Sequence, residues 1–314
     1  MLRPDKSGYA GQGGFMSNYK YQNEVRQMVA EKSLVTVATA IGVSDTAVSR
    51  YVNGKYNGNL DNLENKIGSY LSRVSERGDA WSDIIVNTSV MDNVMRTIRL
   101  VHNMRVMGLI TGPAGIGKTK SCEAYQQSNP GVILVTASVD GKSIKGIVSD
   151  LYWKVAGKEL RGTARAGRQA IINRLKGADR AILIDEAHKL VNDSYQELKH
   201  IYDQTGCPII LVGTHSVYDR LVDERYGHVL EEVDDRIPIK RRFNIEVPKN
   251  DIVSVAQAYG VYDKGAIKKL VGFCRHVSIR KVAYLVKMAR FLANGEVTEK
   301  DIIDADMMTR GSVA

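Results

Sequence analysis

The chain has 314 residues, 44% of them hydrophobic and 25% charged, the balance of an ordinary soluble protein with room for two or three domains, each burying a real core. Its 44 Lys and Arg against 35 Asp and Glu give a formal charge of +9, which suits a polyanionic partner but equally suits a basic protein with none. Cys122, Cys207 and Cys274 lie far apart, which excludes a disulfide framework or a cysteine zinc site; with no bilayer-length apolar run and no signal-peptide core, an intracellular, cytoplasmic protein is expected.

Taken in chain order, residues 1–18 contain the Gly-rich "KSGYAGQGGF", which has little to bury and reads as a flexible tail. Over residues 19–76 apolar side chains recur at helical spacing, interrupted at Gly42, Gly54 and "NGKYNGN", predicting a small all-helical domain. In "LVTVATAIGVSDTAVSRYVNG", Leu34, Val37, Ala38, Ile41, Val43, Val48 and Tyr51 are placed to be buried between two helices, with Gly42 at the turn and Ser44 or Asp45 as the cap. This resembles a helix-turn-helix whose second helix turns Thr46, Ala47, Ser49, Arg50 and Asn53 toward a major groove. A three-helix mini-domain with no DNA role would need the same Gly turn. With one cation in the outward set, its own affinity for DNA is expected to be modest. Residues 77–85, within "SERGDAWSDII", read as a linker.

Across residues 86–248 the apolar runs "MGLIT", "VILVTA", "AILIDE", "PIILVG" and "FNIEV" alternate with amphipathic stretches, the pattern of an α/β domain with a mostly parallel sheet. "MGLIT" runs into "GPAGIGKT", a G-x-x-x-x-G-K-[ST] loop made of Gly112, Pro113, Ala114, Gly115, Ile116, Gly117, Lys118 and Thr119. Backbone amides there can converge on the phosphates of ATP, Lys118 adds a point charge, and the Thr119 hydroxyl can hold Mg²⁺. Between the second and third strands, Lys145, Lys158, Arg161, Arg165 and Arg168 stand in a cation-rich segment with few aromatics. It suits sequence-independent contacts to a DNA backbone, or a solvated helical face. "AILIDEAH" ends a buried strand in Asp185, a second Mg²⁺ anchor, and Glu186, which can polarise the attacking water. An acidic pair at a strand end also serves as a helix cap. Thr214, at the tip of the next strand, can orient that water or cap the following helix; His215 is expected at the surface. Residues 249–314 return to helical periodicity, with Val282, Leu285, Val286 and Met288 to Phe291 as a candidate buried face.

The P-loop, the Asp-Glu strand, the polar strand tip and the arginine in "HVSIRKVAYL" together resemble an AAA+ ATPase over residues 86–308. That resemblance implies a helical lid in which Arg280 reaches the γ-phosphate, and an arginine finger given to a neighbouring subunit. Arg236 is the first candidate for the finger and Arg225 the second; the acidic "EEVDD" before Arg236 offers it intramolecular partners instead. A helix-turn-helix followed by a basic AAA+ module, with "NGKYNG", "VGTHSVYDRL" and "SIR", further resembles the Mu-type transposition protein B family. The chain departs from it in carrying Thr214 where an Asn is expected. The resemblance implies ATP-dependent self-association into a helical filament on double-stranded DNA, delivery of that DNA to a transposase, and release on hydrolysis. An ATP-switched transcription regulator and a helicase loader or replication initiator are the competing readings.

Overall fold

The computed structural model describes residues 19–77, 84–222, 227–244, 246–293 and 295–310. The chain divides into two compact units, residues 1–82 and 83–314.

The first unit contains α1 (Gln22–Glu31), α2 (Leu34–Ile41), α3 (Asp45–Val52) and α4 (Leu60–Arg77). The Ser33 hydroxyl caps α2 by accepting from the Thr36 amide, and Ser44 caps α3 by accepting from Ala47. Gly42 sits between them at φ 78, a left-handed conformation that glycine adopts without steric cost. Val25, Val37, Ala38, Ile41, Val48, Tyr51, Leu63 and Ile67 are buried together, with Leu34 and Val43 packed against them. Tyr51 buries its ring without stranding its hydroxyl, which donates to Glu64 Oε1 at 3.0 Å and accepts from the Tyr21 amide at 3.1 Å.

In the second unit α5 (Ser89–Met104) leads into β1 (Met107–Thr111), α6 (Lys118–Ser128), β2 (Val132–Thr136), α7 (Ile144–Ala156), α8 (Ala164–Leu175) and β3 (Ala181–Asp185). There follow α9 (Asn192–Thr205), β4 (Ile209–Gly213), α10 (His215–Val222), α11 (Gly227–Asp235) and β5 (Ile239–Arg242). The five strands are parallel, in the order β2-β3-β4-β1-β5. Every residue of β1, β3 and β4 is buried, as a sheet covered by helices on both faces requires. One face packs with α7, α8 and α9 through residues such as Leu151, Ile171 and Leu198. The other packs with α5 and α6 through Val94, Ile98, Cys122 and Tyr125.

The fifth strand differs from the sequence expectation. It is "IKRR" at Ile239–Arg242, not "FNIEV", and its last three residues are exposed. An edge strand has only one ladder to satisfy, and charged side chains protect its open side. Of "FNIEV", Phe243 donates its amide to Thr111 O at 2.8 Å just past the end of β5 and packs into the core beside the sheet, and Val247 packs into the C-terminal core.

Helices α12 (Lys249–Ala258), α13 (Lys264–Cys274), α14 (Ile279–Leu292) and α15 (Glu299–Arg310) form a C-terminal helical region around Ile252, Leu270, Leu285 and Ile302. On α14, Val282, Leu285, Val286 and Ala289 are buried, whereas Phe291 is 60% exposed. Met288 and Leu292 also pack against this core, so the expected buried face runs to the end of the helix and leaves out Phe291. Buried Asp251 ties this region to the sheet domain, accepting from the amide and the hydroxyl of Ser89, each at 2.9 Å. Among the described residues, no helix is long and apolar enough to cross a membrane.

Candidate active site

The loop between β1 and α6 is shaped by its glycines. Gly115 and Gly117 have φ of 79 and 105, where side-chain-bearing residues are strained. A Cβ on Gly115 would also stand 3.0 Å from Ser278 Cβ and 3.2 Å from Arg280 Cβ. The loop therefore meets the start of α14 backbone against backbone, and the Arg280 amide donates to Gly115 O at 3.1 Å.

Lys118 is the first residue of α6 and almost fully buried. Its ammonium donates to Gly112 O at 2.8 Å and Pro113 O at 2.7 Å. Burial lowers its pKa, against the pull of Asp185 and Glu186. Thr119 follows, its hydroxyl donating to Asp185 Oδ2 at 2.7 Å, while the Glu186 amide donates to Asp185 Oδ1 at 2.8 Å. Burial raises the Asp185 pKa above its ordinary 3.8; the two donated bonds oppose the shift. A hydroxyl and a carboxylate side by side are hard oxygen donors that fit Mg²⁺, which takes few protein ligands and completes its shell with phosphates and water. No cluster of three or more His, Cys, Asp or Glu suited to a metal occurs among the described residues.

Glu186 has φ 56 and opens the 3₁₀ turn Ala187–Lys189. Its carboxylate lies 3.1 Å from Lys189 Nζ and 3.6 Å from His188 Nε2. Ala114 to Thr119, Asp185, Glu186, Thr214 and Arg280 all line one cavity of about 670 Å³. Its other end is mostly apolar, lined by Ile84, Val86, Met91, Val255, Tyr259, Ile279, Ala283 and Tyr284. A polar end for phosphates and an apolar end for a purine are what a nucleotide pocket needs.

The sequence reading had not singled out His188, Tyr259, Tyr284 or Lys287 as lining residues. Tyr284 and Lys287 stand four and seven residues after Arg280, so helical spacing places all three along one side of α14. His215 is half-buried, not at the surface, with Nδ1 3.3 Å from Thr111 Oγ1. The Thr214 hydroxyl pairs with that of Ser216 at 2.7 Å.

Other candidates lie apart. Arg236 does not line this cavity; it pairs with Asp203 at 3.1 Å and with Asp235. Arg225 falls outside the described residues. Arg168 is half-buried and pairs with buried Glu197 at 2.8 Å. Lys145, Lys158, Arg161 and Arg165 are exposed and enter no salt bridge among the described residues. On α3, Thr46 and Arg50 are exposed and Ser49 is half-buried. Arg50 Nη1 donates to Asn57 Oδ1 at 3.1 Å, and Asn53 at the helix end turns its amide back to Ser49 O at 2.8 Å.

The AAA domain family matches residues 102–221, the span from the end of α5 to the end of α10. "Mu-like prophage FluMu DNA transposition protein B" of Haemophilus influenzae is 25% identical over 256 residues, 78% of this chain and 88% of the relative. The "ATP-dependent target DNA activator B" proteins of Escherichia phages Mu and D108 are each 22% identical over 272 residues, 85% of this chain and 86% of theirs. This chain is an AAA-domain protein homologous to those target DNA activators. The AAA match includes the P-loop, Asp185, Glu186 and Thr214 but stops before the helices that carry Arg280, Tyr284 and Lys287. The matches to the relatives are longer than the AAA match, and the sheet order fits the AAA arrangement of a P-loop ATPase.

Proposed function

We propose that the chain hydrolyses ATP, assembles on double-stranded DNA while ATP is bound, presents that DNA to a transposase, and lets go after hydrolysis. The observation that carries this reading is the single cavity shared by Lys118, Thr119, Asp185, Glu186 and Arg280 in a chain homologous to proteins named for target DNA activation. Thr119 and Asp185 would hold Mg²⁺, which draws charge from the β- and γ-phosphates when bound. Lys118 gives up its loop carbonyls for phosphate oxygens, and burial makes that exchange favourable for an ammonium with only neutral partners. Glu186 accepts a proton from water as the water oxygen bonds to the γ-phosphorus and the bond to the bridging oxygen breaks. Thr214 orients the water, and Arg280 meets the growing negative charge from the lid.

DNA contact is assigned to Lys145, Lys158, Arg161 and Arg165 for the phosphate backbone, and to Thr46, Ser49, Arg50 and Asn53 for an accessory groove contact. The ion pairs of Arg236 weaken it as an arginine finger, since reaching a neighbour would break both.

Electron microscopy and footprinting with ATP and random-sequence duplex test the proposal. ATP-dependent coverage of any duplex is expected; deleting residues 1–77 should weaken DNA affinity and leave that assembly intact. A short fixed footprint indifferent to ATP would establish a regulator, and transfer of a helicase ring to single strands a loader. Lys118→Ala should abolish nucleotide binding and assembly together; Glu186→Gln should bind ATP and DNA without turnover. Parental turnover in the Gln variant would refute the assignment of Glu186.

A further inference from the structure

Helix α7 turns one large aromatic side chain to solvent. Ile147, Val148 and Leu151 are buried on its inner side, and Val155 packs beside them. Trp153 stands two residues beyond Leu151, about 200° around a helix of 3.6 residues per turn, and is 59% exposed. It joins none of the four hydrophobic clusters, and its indole N–H makes no hydrogen bond among the described residues. An indole carries more apolar surface than other side chains, so a partner that covers it gains much from the contact.

Cations flank it along the chain. Lys142, Lys145, Lys154, Lys158, Arg161 and Arg165 are all exposed, and in that stretch Glu159 is the exposed acid set against them. Asp150 is half-buried, its Oδ2 turned to Gly141, where an added Cβ would stand 2.8 Å from it. The Gly157 amide donates to Trp153 O at 2.8 Å, so the indole opens the last turn of α7, just before the loop that carries Lys158 and Arg161. The cations alone would read only a phosphate backbone. A flat apolar ring among them matches a polymer in which flat rings alternate with anionic links, which is a nucleic acid and not an apolar protein face. A paired duplex hides its base faces in the stack. The ring reaches one only where a base is displaced, as at a bulge, a mismatch or a kinked step.

We infer that Trp153 is a base-stacking site: the cations hold the phosphates of a duplex while the indole takes the face of a base displaced from the stack. The chain thereby selects DNA that is locally opened. The inference rests on the DNA reading above and adds to it a site for a nucleobase.

The test uses the full chain with ATP and two short duplexes of one sequence, fully paired or carrying a single bulged base, with affinity read by fluorescence anisotropy across a salt series. The parent should bind the bulged duplex about tenfold more tightly. Trp153→Ala and Trp153→Leu should erase that preference and Trp153→Phe should keep part of it; thermal melting matched to the parent's separates lost stacking from lost folding. The salt slope of the Ala variant should equal the parent's, since no phosphate contact is removed. With Trp81→Phe leaving Trp153 as the one tryptophan, the bulged duplex should quench the indole emission and the paired duplex should not. A parent that binds the two duplexes equally, or an Ala variant that keeps the preference, overturns the inference. So does an Ala variant that loses ATP-dependent self-association with the preference intact, which would give the indole to a second copy of the chain. A parent that binds neither duplex refutes the DNA reading itself.

Discussion

Arg168 offers a direct contest between a structural and a DNA-binding role. Its Nη1 stands 2.8 Å from Glu197 Oε2, and Glu197 is only 6% exposed, with Oε1 lacking a hydrogen-bond partner among the described residues. Replacing Arg168 by Ala leaves a carboxylate between α8 and α9 with its counter-charge gone. Breaking a fully buried pair costs about 3–5 kcal/mol. The Arg168 side chain is 30% exposed, so water can enter the gap and about 2–3 kcal/mol is the appropriate expectation. For a unit of this size that is a fall in Tm of roughly 5–10 °C. Arg168→Met combined with Glu197→Met should recover most of the loss, because neither charge is then stranded. Thermal melting checks the stability, and fluorescence anisotropy on duplex DNA across a salt series checks the alternative. An Arg168→Ala protein that melts with the parent but loses DNA affinity, with a salt slope shallower by about one, would show that Arg168 holds phosphate and that the ion pair with Glu197 does not matter.

Gly115→Ala should lower ATP affinity at least about tenfold, since a positive φ costs about 1 kcal/mol for a residue with a Cβ and the new methyl presses on Ser278 and Arg280; nucleotide titration with parental affinity would contradict it. Asp185→Asn should raise the Tm of the nucleotide-free protein at neutral pH while abolishing turnover. The sign follows from a folded-state pKa raised by burial: the parent binds its proton more readily when folded, so its stability is greatest below the usual carboxylate range and is lost as pH rises through the folded value. The advantage of Asn should therefore shrink as the melt is repeated at falling pH. Asp251→Ala removes the acceptor for the Ser89 amide and hydroxyl and should cost about 1–2 kcal/mol, with Asp251→Asn milder; equal melting of Ala variant and parent would remove Asp251 as a joint between lid and sheet.

The phosphate loop and the acidic strand were legible in the sequence because their chemistry is local: "GPAGIGKT" and "LIDE" each sit at the end of an apolar strand and need no distant partner to be recognised. The helix pair around Gly42 was legible for the same reason, through its apolar spacing and the Ser44 cap of α3; the Ser33 cap of α2 was not read. β5 was not, because an edge strand of Lys and Arg lacks the apolar signature of a covered one. Arg168 resembled its exposed neighbours because Glu197 is 29 residues away and charge patterning along the chain cannot see across two helices. The apolar end of the cavity was also hidden, since Ile84, Tyr259 and Tyr284 come together only when the chain folds back from the C-terminal helices.

The bond from the Arg280 amide to Gly115 O gives the C-terminal helices a pivot. In the role proposed for it above, Arg280, its main chain anchored to the phosphate loop, would meet a change at the γ-phosphate by swinging its guanidinium about a fixed root. The helices behind it are then expected to turn about that point and not to lift away. The far end of α14, at exposed Phe291, would travel farther than its start, so that the loss of one phosphate is converted into leverage about three turns along the helix from the chemistry.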